Sequence, residues 1–99
     1  MQRRSLLETH EKRVSSATIR QEDGQEWLLE YYLQTIESPG GTIFGLRVDK
    51  STLDGVLVER EETSATTEYE EQALAMIHAF AKGTVPPSVL LEMVDDWEY

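Results

Sequence analysis

Ninety-nine residues, 39% hydrophobic and 28% charged, make one globular domain at most and exclude a disordered chain; a chain of this size buries roughly 65% of its unfolded surface, so its core is real but thin. The absence of cysteine excludes disulfides, thiolate catalysis and cysteine-ligated metals. The formal net charge of −10 is uneven, with eight Lys/Arg against ten Asp/Glu in residues 1–60 and one against nine in residues 61–99; that acidic end repels nucleic acid and anionic membrane and attracts a basic protein.

The opening "MQRRSLLETHEKR" has an arginine pair with no apolar stretch behind it, so it reads neither as a signal peptide nor as a twin-arginine signal. No run approaches the roughly 20 apolar residues of a membrane-spanning helix, and the expected location is the cytoplasm. Residues 1–12 are mixed, with Leu6 and Leu7 as the only apolar anchors, and are expected to be poorly ordered.

From Val14 the pattern is extended, and residues 13–62 read as the β part. Asp23-Gly24 between two β-prone runs is a hairpin signal, because that pair accepts the positive φ of a tight turn. In the second run Trp27, Leu29, Tyr31 and Leu33 share one face while Glu30, Tyr32 and Gln34 take the other, the alternation of a sheet covered on one side. "SPGG" at 38–41 ends that strand. In "TIFGLRVD" Phe44, Leu46 and Val48 oppose Arg47 and Asp49. A turn through "KSTLDG" leads to "VLVERE", a last strand with an acidic tip at Glu59, Glu61 and Glu62. Short connections imply an antiparallel meander of three to four strands.

Residues 63–99 read as the acidic helical part. "TSATTEYEEQALAMIHAFAKG" changes to the helical period. Thr67 and Glu70 have the spacing of a capping box, Glu68, Glu70 and Glu71 suit the positive end of the dipole, and Lys82 and Gly83 mark the C-terminus. Tyr69, Ala73, Met76, Ile77 and Phe80 form one stripe, edged by Leu74 and Ala81, that packs on a sheet. The closing "VPPSVLLEMVDDWEY" predicts a shorter helix begun by Pro86-Pro87. Its oily face centres on Leu90, Val94 and Trp97 and is broadened by Val89, Leu91 and Met93. Ser88, Glu92, Asp95 and Asp96 form the wet face. Such a helix serves as a lid on the core or as a docking element, and the sequence leaves both open. The expected fold is thus α+β: a meander sheet followed by two helices packed on one face.

The hairpin around "EDG", the "YYL" strand, the strand with "FG", the "TTEYEEQALAMI" helix and the tail "TVPPSVLLEMVDDWEY" together resemble a small bacterial protein family of unknown function. Members of that family end in a V-x-D-[FW] tail after a "TP" or "SP" helix start. The resemblance runs from about Thr18 onward and implies the sheet-then-helices layout. It implies no activity, and this chain departs from the pattern where Pro86 stands for the threonine or serine.

Candidate chemistry is sparse. His10 lies among Glu8 and Glu11, as a general base would, but a solvated histidine near the terminus explains it. His78 falls on the flank of the first helix as a boundary residue. Glu92, Asp95 and Asp96 share a helix face, which supplies too few oxygens for calcium. "SPGGTIFG" is followed by a strand, whereas phosphate cradling needs a helix N-terminus. The hydroxyls at 15–18 and 63–67 lack an adjacent base and suit turns and caps. Trp27, Tyr31 and Tyr32 sit beside Glu26 and Glu30, where a base-stacking surface needs Lys or Arg. No cofactor, metal ligand set or catalytic residue is expected.

The reading that remains is a non-enzymatic protein-interaction or regulatory module. Its surface is either the acidic helical end, with Glu92, Asp95, Asp96 and Trp97, or the outer sheet face, with Tyr32 and Ile36. A homodimer through an open sheet edge is a variant of it. The alternatives are an acidic decoy that occupies a basic nucleic-acid-binding protein, and a cofactor-free enzyme with carboxylates assembled across the sheet.

Overall fold

The computed structural model describes residues 8–97. Four antiparallel strands, β1 (Glu8–Arg20), β2 (Glu26–Ser38), β3 (Gly41–Thr52) and β4 (Leu57–Glu62), form one sheet in the order β1-β2-β3-β4. Two helices follow, α1 (Glu70–Lys82) and the short α2 (Leu90–Asp95), with a 3-10 turn at Pro87–Val89 leading into α2. The α+β layout and the four-strand meander agree with the sequence pattern.

β1 begins at Glu8, well before the expected Val14, and Leu6 and Leu7 lie outside the described residues. Its first half is fully paired, from Glu8 opposite Glu37 to Arg13 opposite Tyr32. Two features hide it from pattern reading. Its side chains from Glu8 to Arg13 are all exposed, so no apolar alternation marks it. A bulge at Val14 then shifts the register between Arg13 and Ser15 and breaks the period of two. The turn to β2 closes as expected: Gly24 has φ 87° and the Gln25 N–H donates to the Asp23 carboxylate at 2.9 Å.

β2 and β3 build the floor of the core. Leu29, Tyr31 and Leu33 of β2 and Phe44, Leu46 and Val48 of β3 are buried on the helix side. α1 lies across β1, β2 and β3, and the 3-10 turn and α2 cover β3 and β4. α1 contributes Ala73, Met76, Ile77 and Phe80, and the closing segment adds Val85, Pro87 and Leu90. Each fully buried Leu, Ile or Phe side chain is worth about 1.5–3 kcal/mol, so this one layer carries most of the apolar stabilisation.

The N-terminus of α1 departs from the expected capping box. The helix starts at Glu70 with Tyr69 at the cap and no side-chain cap bond. The Thr67 backbone N–H, which a box would offer to Glu70, instead donates to the Phe44 carbonyl at 3.2 Å. Residues 63–67 thus continue beside β3, and the Thr67 hydroxyl donates to Gln72 while accepting the Tyr69 N–H. Tyr69 consequently lies at the helix entrance, 52% exposed, rather than in the buried stripe.

The C-terminus of α1 is a Schellman motif. The Thr84 N–H donates to Ala81 O, and the Val85 N–H to Phe80 O. The left-handed position belongs to Thr84, at φ 50°, rather than to a glycine. The buried Tyr31 hydroxyl then donates to the Val85 carbonyl at 2.9 Å, tying the link after α1 to the middle of β2.

The closing segment is shorter and less regular than a single helix begun at the prolines. Pro86 is extended, Pro87 opens a 3-10 turn, and α2 spans six residues. Leu90 is fully buried, while Val94 and Trp97 pack partly against the core, the Trp97 ring edge-on to Phe80 at 5.6 Å. Leu91 and Met93, expected to broaden the buried arc, face water at 47% and 39% exposure.

Candidate interaction site

The outer face of the sheet is a knit of long polar side chains. The Arg47 guanidinium lies 3.9 Å above the centre of the Tyr32 ring, donates to Glu11 at 2.7 Å and reaches Asp49 at 3.3 Å. Asp49, itself buried, accepts both the Nε and Nη2 protons of Arg60 at 2.8 and 3.0 Å. That bond, together with the Asp49 charge, holds the Arg60 pKa above its ordinary value. Arg13 donates to Glu30 at 2.8 Å, which raises the Arg13 pKa in the same way. Tyr32 is therefore roofed by Arg47, and its ring face is taken. Ile36 shares this side and stays half-buried. The cross-strand register places these partners together, and no local pattern in residues 1–12 points to the bond that Arg47 donates to Glu11.

Glu8, His10 and Glu37 meet across the β1–β2 pair. His10 Nε2 lies 3.8 Å from Glu8 and 3.9 Å from Glu37, with more than half of each side chain exposed. The expected neighbour Glu11 turns instead toward Arg47. His78 is exposed on α1.

The acidic helical end presents a different surface. A cleft of about 370 Å³ lies between residues 63–66 on one side and Leu91, Val94, Asp95 and Trp97 on the other. Its walls follow from the two departures described above. Residues 63–67 run along β3 instead of capping α1, held by Thr63 N–H to Leu46 O at 2.8 Å and Thr66 N–H to Phe44 O at 2.9 Å. α2 is short and rotated so that Leu90 enters the core and Leu91 does not. Gly45 permits the close approach on the outer side, since a Cβ there would sit 3.1 Å from the Gln34 and Thr63 side-chain oxygens and 3.2 Å from Ser64 O.

Of the residues singled out from the sequence, Asp95 and Trp97 line this cleft; Glu92, on α2, and Asp96, just after it, are exposed. Leu91 and the threonines at 63 and 66 belong to it as well. The sequence pattern gave no sign of Leu91, which fell on the apolar arc, and read the hydroxyl cluster as turn chemistry alone. Part of that chemistry is present: the Thr66 hydroxyl bonds Thr63 Oγ1 and Ser64 O, each at 2.9 Å.

A second group of exposed apolar side chains lies at the far end of β4, separated from the cleft by the charged residues 59–62. Leu53, Val56, Leu57 and Val58, in and beside the β3–β4 hairpin, are 46–57% exposed. Among the described residues, no helix is long and apolar enough to cross a membrane. The model of a family of unknown function, DUF6514, matches residues 10–98. No curated protein and no solved structure gives a match.

Proposed function

Because the chain belongs to the DUF6514 family, whose function is unknown, membership brings no activity with it, and we propose from its surface that the domain is a non-enzymatic interaction module for a basic protein segment. The observation that carries this reading is a cleft with one apolar wall, on the α2 side, facing the hydroxyl-rich residues 63–66 and bordered by acids. Trp97, Leu91 and Val94 offer a wall on which the aliphatic stem of a Lys or Arg can lie. Asp95 stands in the cleft, and Glu92, on α2, and Asp96, just after it, stand exposed to meet the charged head. The net charge of −8 over residues 61–99 draws such a segment in and speeds encounter.

The acidic decoy draws on the same charge but needs no cleft, and salt separates the two. A complex held by surface charge alone collapses at moderate ionic strength, whereas one with a buried apolar contact weakens and persists. The test is an NMR titration of the labelled domain with a blocked peptide alternating lysine and valine, at low and at physiological salt. The expected result is a localised set of shifts that includes residues 63–66, Leu91, Val94 and the Trp97 indole, present at both salts. Leu91→Ser, at an exposed position, should weaken binding while leaving Tm unchanged. Absence of shifts, or shifts scattered over every acidic residue and lost in salt, rejects the module.

A further inference from the structure

Resting on that reading, we infer that the basic segment binds as an added strand on the open edge of β4, running from Leu57 toward the cleft. Among the described residues, the sheet order β1-β2-β3-β4 leaves two edges, and they are built differently. β1 carries a bulge at Val14, in the middle of the strand, and the exposed cation Lys12, devices that discourage a further strand, while Arg13 and Arg20 are held by Glu30 and Glu26. β4 carries no proline, its one cation, Arg60, is held by Asp49, and its own bulge, at Val58, lies near its start, so residues 59–62 form a regular stretch.

The register identifies the backbone groups on offer. The Thr63 N–H points inward to Leu46 O, so in an antiparallel ladder Glu61 and Glu59 also turn toward β3. Arg60 and Glu62 therefore turn outward. The Glu62 N–H is met by the carboxylate of its own neighbour, Glu61, at 3.1 Å, a stop-gap that an incoming carbonyl can replace. The edge is flanked by the exposed Leu57 and Val58 at its start and leads at its end directly into Thr63 and the cleft. An added strand gains main-chain bonds from the edge and side-chain anchorage from the apolar positions, the division of labour in strand-addition recognition.

Charge selects the occupant. Glu59, Glu61 and Glu62 lie on β4, and Glu92, Asp95 and Asp96 on and beside α2. A second copy would bring the same acids against themselves, at a net charge of −10 per chain, and like charges facing each other across a strand pair destabilise it. A segment alternating basic and apolar residues sets its basic side chains on the face of Glu59 and Glu61 and its apolar ones on the opposite face, where Leu57 lies.

The experiment measures amide hydrogen exchange of the full chain with and without the blocked lysine–valine peptide. The expected result is that the Arg60 amide slows by about tenfold or more at saturation, as an edge N–H that gains a partner does. The same peptide N-methylated at alternate residues should lose both the protection and most of its affinity. Glu62→Pro, which removes an outward donor, should weaken binding, whereas Glu62→Gln, which removes only the charge, should weaken it far less. If the cleft residues shift while Arg60 stays unprotected and N-methylation has no effect, strand addition is wrong and the module reading survives. If the peptide does not bind at all, both fall. If Arg60 becomes protected without peptide as protein concentration rises, the occupant is a second copy and the basic-segment inference is overturned.

Discussion

The two halves of the sheet's helix-side face are covered in different ways. On the β1 side a regular thirteen-residue helix, α1, lies directly over the strands. On the β4 side the cover is a 3-10 turn and a six-residue helix, hung from the link that follows α1. The first side is self-sufficient, because α1 brings Ala73, Met76, Ile77 and Phe80 from one continuous stripe. The second depends on single points: Leu90 in the core, the bond from Tyr31 to Val85, and the turn at Thr84. A short element cannot hold itself in water and takes its stability from tertiary contact. The side with the weaker cover is also the side with the cleft and the open edge.

The comparison can be broken most directly at Leu90. Leu90→Ala removes a fully buried side chain from the element least able to compensate, and should cost about 2–4 kcal/mol. Chemical denaturation gives the total, and hydrogen exchange gives its distribution. Loss of protection should be greatest in residues 87–97 and β4. If protection falls equally across β1 and α1, the two sides form one cooperative unit and the contrast drawn above is wrong.

Tyr31 tests the next point. Burial pushes its hydroxyl pKa up to about 12 from an ordinary value of 10.0. The unfolded chain releases this proton first as pH rises, so unfolding becomes more favourable in that window. The contribution is intact below pH 10 and fades between about pH 10 and 12, by roughly 2–3 kcal/mol in all. Tyr31→Phe should cost about 1–2 kcal/mol at neutral pH, since the Val85 carbonyl loses its donor. The variant should also lack this alkaline fall, so the stability difference between the two proteins shrinks and reverses as pH rises. A constant difference across that range would show that the hydroxyl is not held as the structure shows it.

Gly45 probes the cleft wall itself. Gly45→Ala places a methyl 3.2 Å from the Ser64 carbonyl and 3.1 Å from two side chains, so Ser64 and its neighbours must move. The expected cost is about 1–2 kcal/mol. The informative reading is local: amide shifts should concentrate at residues 63–66 and around Gln34, and leave the turn between β1 and β2 untouched.

The same asymmetry explains what the sequence made legible. Period and punctuation were enough for β2, β3 and α1, because each is long and half-buried and so carries an alternation or a stripe. Asp23-Gly24 marks one end because the pair accepts a positive φ, and Gly83 marks another by position, although the left-handed residue there is Thr84. They failed at the two edges. β1 hides behind its exposed side chains and its bulge, and residues 63–67 trade a capping box for main-chain bonds to Phe44, a choice made by tertiary contact. In the closing segment the apolar arc was read too wide, because a six-residue helix turns only part of its surface inward. Trp97 and Asp95 were named as candidates, but the cleft joining them to residues 63–66 needs the fold to be seen.

The smallest effect should come from Thr84, and its sign is opposite. A β-branched residue at φ 50° sits in the left-handed region, at a cost of about 1–2 kcal/mol relative to glycine. Its hydroxyl bond to Gly83 O at 2.8 Å is exposed and returns little. Glycine relieves the strain but adds freedom to the unfolded chain, so Thr84→Gly should stabilise by about 0.5–1 kcal/mol. Thermal unfolding of the variant measures this directly. The gain should reach the β4 side more than the β1 side, because Thr84 directs the chain from α1 toward the 3-10 turn. A destabilised variant would mean that the hydroxyl bond outweighs the backbone strain. A stabilised one whose added protection lies in residues 85–97 would show that the strain at this turn is what keeps the cover of the open edge loose.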